Sequence, residues 1–179
     1  MQNHLDNTLA LLERTPAALD ALLRGLPNAW TECDEGQNTW SATMVVAHLV
    51  YGEQEDWIPR MRLILESGGT FVPFDREGHV RYSRGKTLAQ LLDEFAQARA
   101  KGLDAVRALK LTPEDLQRTG RHPSLGVVTL SQLLATWAAH DLTHLHQISR
   151  ILAYQYRDAV GPWSKFLGVL HCAGHSGPA

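Results

Sequence analysis

The chain reads as all-α, a four-helix bundle or a near relative, on three observations. Apolar residues recur at spacings of three and four in four long segments, as they do on the buried face of a helix. Two of those segments open on Thr-x-x-Gln, the capping-box spacing in which hydroxyl and amide satisfy free backbone N–H groups. No run alternates convincingly in the manner of a strand, and burying four apolar stripes against one another is the simplest solution left.

The first stripe runs through Leu5, Leu9, Leu12, Leu19 and Leu22 or Leu23 to about Gly25. Pro16 lies inside it and implies either a kink or a fresh start at Thr15, of which the kink is the reading adopted. A second helix from Ser41 supplies Val45, Val46, Leu49, Ile58, Met61 and Leu65, and ends at Gly68-Gly69. Residues 70–86 read as loop, because Pro73 argues against pairing Phe71–Phe74 with His79–Tyr82. The third helix follows the Thr87–Gln90 box to about Lys110, despite Gly102, and the fourth follows the Thr129–Gln132 box. From Gly161 a short helix and a loose end, beginning at about His171, are expected.

With 179 residues, one domain spanning 1–179 is expected, its core running from about residue 5 to about residue 155. A 44% apolar content and a formal charge of -2 give no electrostatic case for nucleic acid or an acidic membrane. The longest apolar stretch, Ala42–Tyr51, is about half of the ~20 residues that span a bilayer. No secretory signal is visible at Met1–His4, and two isolated cysteines, Cys33 and Cys172, form no CxxC pair, so a cytoplasmic location is expected.

Chemistry concentrates in Trp137-Ala-Ala-His140-Asp-Leu-Thr-His144, where both histidines fall on the apolar stripe of one helix. Two imidazoles pointing into a bundle need compensation, and a divalent cation such as Zn²⁺ or Ni²⁺ supplies it, because i,i+4 spacing lets the rings converge. The alternative is that they are core histidines bonded to carbonyls. A third ligand must come from elsewhere; His48, inside the apolar run Met44–Val50, is best placed among His48, His79, His122, His171 and His175. His79 and His122 read as surface loop residues, and the second HxxxH, His171 to His175 with Cys172 alongside, sits in the Gly-Pro tail and reads as solvated. Asp141 occupies the position of the zincin general base, but its short arm points to a surface or supporting role. No Glu-x-x-His pair exists for a di-iron site. Tyr51 and Glu55, beyond His48 on its helix, and Trp137 are candidates for a pocket wall.

Trp40-Ser41 leading into His48-Leu49, followed much later by His140-x-x-x-His144-x-x-Gln147-Ile148, resembles the DinB/YfiT-like superfamily of metal-dependent enzymes over roughly Leu5–Leu152. The resemblance implies an up-and-down four-helix bundle in which His48, His140 and His144 hold Zn²⁺, Ni²⁺ or a similar ion, and a homodimer. It also implies chemistry on a small molecule, as a thiol-dependent transferase, with a low-molecular-weight thiol as cosubstrate, or as a hydrolase. Three imidazoles leave a coordination position open to water or to a thiolate, and the ligand set does not separate those reactions. A non-catalytic metal-binding bundle, or an interaction protein with structural histidines, are the competing classes.

Overall fold

Proline cuts two of the four expected helices into pairs. In the computed structural model, which describes residues 2–172, α1 spans Gln2–Leu12 and α2 starts afresh at Thr15 (Thr15–Leu23) with Pro16 in its first turn. The expected kink is therefore a break: Pro16 lacks the N–H a continuous helix needs, and its fixed φ suits a helix start. After the single turn α3 (Asn28–Thr31), Ser41 caps α4 (Ala42–Glu55) by accepting from the Met44 N–H at 3.3 Å. The expected second helix then breaks at Asp56, and α5 (Trp57–Glu66) follows. Pro59 explains this, because its ring would collide with the Glu55 carbonyl in an unbroken helix.

Both capping boxes form. Thr87 opens α7 (Leu88–Ala108) and Thr129 opens α8 (Leu130–Tyr154), each exchanging hydroxyl and amide bonds with the glutamine three residues on. Two elements depart from expectation. Residues 78–82, read as loop, form the short helix α6 (Gly78–Tyr82), and a hairpin joins α7 to α8, with β1 (Thr119–His122) antiparallel to β2 (Gly126–Thr129). The β1 sequence Thr-Gly-Arg-His has no apolar alternation to reveal it; Gly120 lies flush on the core, where an added Cβ would come within 2.7 Å of Phe71 and 2.9 Å of Ile64. The tail is a pair of 3-10 turns, Gly161–Phe166 and Gly168–Leu170. His175 and the Gly-Pro end lie outside the described residues.

The four-helix bundle has two apolar layers. One end is built from Leu5 and Leu12, Trp57, Met61 and Ile64, Leu103 and Val106, and Leu130, Leu134 and Trp137. The other is built from Leu19 and Leu23, Val45, Val46 and Leu49, Leu91, Leu92 and Phe95, and Ile148 and Ile151. Chain direction follows from which end each helix reaches first. The α1–α2 pair and α8 run one way, while the α4–α5 pair and α7 run the other, so the succession is up, down, down, up rather than strictly alternating. Two consecutive parallel helices need a return crossover, and residues 67–87 provide it, laying α6 against α4 on the way. No helix among the described residues is long and apolar enough to cross a membrane.

Between the layers lies a buried ionic cluster. Arg99 on α7, only 1% exposed, grips Asp141 on α8 through two bonds (2.6 and 2.9 Å), Glu53 on α4 (2.9 Å) and the Leu12 carbonyl at the end of α1 (2.7 Å). Trp137 donates its indole N–H to the same Glu53 oxygen at 2.8 Å. Asp141, expected at the surface or behind a ligand, is fully buried as half of this clamp. Gly102 fits for a steric reason: a Cβ there would come within 3.3 Å of the Trp137 ring.

A buried pair broken on one side leaves an uncompensated charge. Arg99→Ala is therefore expected to cost about 3–5 kcal/mol in urea unfolding, from two stranded carboxylates and lost packing; a change under about 1 kcal/mol would mean the cluster is dispensable. Burial pushes the Glu53 carboxyl up from its ordinary range, although Arg99 and Trp137 oppose this. Because the folded chain then holds that proton more tightly than the unfolded one, Glu53 stabilises fully below the unfolded value and less as pH rises through the raised folded one. Glu53→Gln, which keeps an acceptor and never ionises, should gain on the native protein in unfolding midpoint as pH rises upward from about 4.5; a constant gap would contradict the assignment.

Candidate metal centre

Helix α4 places His48 one and a half turns before Glu53, and α8 places His140 and His144 around Asp141, so the Arg99 clamp holds both histidine-bearing helices in register. α4 and α8 antiparallel bring the three rings together. The His140 Nε2 lies 3.1 Å from the His48 Nε2 and 3.1 Å from the His144 Nε2. Ligand atoms of all three fall within 4.8 Å of one another, and this is the one such group of His, Cys, Asp or Glu side chains found among the described residues. His48 is thus the histidine that the fold brings beside the HxxxH pair.

Electrostatics favour neutral rings. Burial first, and then the neighbouring His144 and His79, bring the His48 imidazole down to about 3. Burial likewise holds His140 well below the ordinary range, with His144, His48 and Arg99 adding to the effect, and it lowers His144 against the opposing pull of Gln147 and Asp141. Neutral rings offer lone pairs. Gln147 lies one turn beyond His144 on α8, and its Oε1 sits 2.7 Å from the His144 Nδ1. That contact fits an N–H on Nδ1 and leaves the lone pair on Nε2, facing the other rings. Three lone pairs aimed at one point repel unless a cation or a shared proton lies between them, so the donor set suits a borderline divalent ion.

Aromatic rings close over the cluster. Trp40, just before the α4 cap, packs 5.0 Å from His48 and 6.3 Å from His144 (centroid to centroid), while Phe74 meets His48 edge-on at 5.8 Å. Trp57 meets the His140 edge at 5.2 Å and stacks on Trp137 at 5.8 Å. Trp137 itself is buried against Glu53, so it supports the site through Trp57. Tyr51 backs α6: its ring lies so close to Gly78 that an added Cβ would be 2.2 Å from Cζ, and it packs on Phe74 at 5.4 Å. Glu55 is exposed at the end of α4.

His79, read from sequence as a surface residue, is 1% exposed, with its ring 5.4 Å from His48 and 4.5 Å from Trp40. Sequence reasoning missed it because α6 is too short to show a helical period, and missed Glu53 and Arg99 although both occupy stripe positions of their helices. His122 remains half-exposed, its Nδ1 accepting from the Ser124 and Leu125 backbones. His171 is exposed and bonded at 2.8 Å to the Ser164 carbonyl, and Cys33 and Cys172 are both free thiols. A groove of about 400 Å³ between the α4–α5 pair and α7 is lined by none of the histidines.

Known structures share this architecture. YfiT from Bacillus subtilis, described as "a probable metal-dependent hydrolase with an unusual four-helix bundle topology", aligns with a TM-score of 0.74 at 20% identity over 87% of this chain and 89% of its own. TT2238, a four-helix bundle protein known from a crystal structure, aligns with a TM-score of 0.54 at 26% identity over 79% of this chain and 94% of its own. No curated protein matches the sequence. The DinB superfamily pattern matches residues 11–148, and that span reaches from α1 through all three clustered histidines. The chain belongs to the DinB superfamily.

Proposed function

We propose that the chain binds one divalent metal ion, Zn²⁺ or Ni²⁺, through the Nε2 atoms of His48, His140 and His144, and uses it to hydrolyse a small molecule. The observation that carries the reading is the convergence of three imidazoles, two half-buried and one buried, on a single point. When bound, such an ion supplies Lewis acidity, making water or a thiol acidic near neutral pH and polarising a substrate oxygen.

The chain's own residues do the rest. His48 and the His140–His144 pair come from antiparallel helices locked by Arg99, which fixes the donors relative to one another. Gln147 holds His144 in the tautomer that presents Nε2, the supporting role commonly found behind a ligating histidine. Trp40, Phe74 and Trp57 wall the donors with apolar rings, which selects a ligand with an apolar part. Hydrolysis is preferred to thiol transfer because YfiT, of similar fold, is described as a probable metal-dependent hydrolase. Transfer of a low-molecular-weight thiol to an electrophile is the second reaction open to the same donor set.

The test is metal analysis of tag-free protein, with turnover measured on the same samples. One ion per chain is expected in the native protein and none after His140→Ala or His144→Ala, with ester or amide hydrolysis lost in step. Full metal content in either variant would refute the ligand assignment. Thiol conjugation without hydrolysis would replace the hydrolase reading with the transferase one.

A further inference from the structure

His79 is the buried titratable group that the reading above leaves unused. It sits on α6, the short helix of the crossover, and Gly78 beside it is what lets α6 press onto Tyr51 of α4. Both of its ring nitrogens are buried; no side chain among the described residues bonds to either, and the Arg76 backbone makes only a marginal contact with the ring. A neutral imidazole carries one donor and one acceptor, so at least one of them lacks a partner inside an aromatic box. Its ring stands perpendicular to His48 (88°) at 5.4 Å and packs on Trp40 at 4.5 Å. It is also close enough to His48 and His144 for a charge on it to disfavour charge on either. Yet it does not belong to the tight group of three whose ligand atoms lie within 4.8 Å of one another.

Those facts place His79 one step behind the ligands. A ring beside the convergence point but outside the ligand group is placed to reach an atom bound next to the three donors. We propose that His79 is the hydrogen-bonding partner of whatever ligand fills the coordination position that His48, His140 and His144 leave open. The inference rests on the metal-binding reading of the site. The class of ligand it selects is small and hydrogen-bond accepting, such as a carboxylate, a thiolate or a small inorganic anion, because the imidazole N–H donates to it. His79 thereby makes α6 part of the binding site: ligand capture satisfies a ring nitrogen to which no side chain bonds.

Cobalt-substituted protein tests this with azide as the probe, read by the visible absorption of the metal. Native protein, His79→Leu and His79→Gln are each expected to hold one cobalt per chain. Azide should bind His79→Leu about tenfold or more weakly than the native protein, because a bond to a charged acceptor is lost, while His79→Gln retains most of the affinity. Equal azide affinity in all three proteins would overturn the proposal, and so would loss of cobalt from His79→Leu, which would make His79 a ligand. If His79→Leu does not fold, ¹⁵N imidazole spectra of the native zinc protein decide: the His79 signals move on azide addition if the proposal holds and stay fixed if it is wrong. Failure of the native protein to take up cobalt would instead bring down the metal-binding reading itself.

Discussion

One guanidinium holds the middle of this bundle together. Arg99 reaches from α7 to a carboxylate on α4, a carboxylate on α8 and the last carbonyl of α1, so each of the four helical units of the bundle ends its freedom to slide at the same point. Apolar layers on either side would tolerate a shift by a turn, since one leucine stripe packs much like another. A buried charge does not, because any displacement strands it without partners. Register is the property that the histidines need, and they lie within two turns of this clamp on α4 and α8.

The cost of such a centre falls on the folded protein. Stacking three imidazoles, an arginine and two acids in one bundle removes polar groups from water, and only mutual bonding offsets it. The Arg99 cluster meets most of this cost with its own bonds, Trp137 adding one to Glu53, although Glu53 Oε2 and Arg99 Nε keep no partner among the described residues. The histidines do not: beyond Gln147 on His144, the Nδ1 atoms of His48 and His140 are buried without partners among the described residues. A cluster of imidazoles whose buried nitrogens the protein does not fully satisfy is an arrangement that a bound ligand would complete.

Much of this was legible in the chain. Thr87 and Thr129 announced their helices because capping is local chemistry, and the HxxxH on the α8 stripe exposed itself because imidazole does not belong on an apolar face. His48 was legible for the same reason. The helix directions were not, since periodicity says which face is buried but nothing about which neighbour buries it; the parallel succession of α4–α5 and α7 depends on a crossover whose residues carry no period. His79 was hidden in that crossover. The Asp141 reading, a surface or supporting role, left its burial open because its partner, Arg99, lies far away in sequence, although a charge at a stripe position on each of α4, α7 and α8 was a signal that opposite charges meet inside. The break at Asp56 was readable from Pro59, and the hairpin was not, because Gly120 is small for steric reasons that only the packing reveals.

X-ray absorption at the metal edge of the native, untagged protein tests the central claim most directly. Three imidazole nitrogens at ~2.0–2.1 Å, with His48→Ala reducing the count by one or losing the ion, is the result expected for zinc. A metal bound only through oxygen or sulfur, or a protein that takes up no ion while remaining folded, would contradict it.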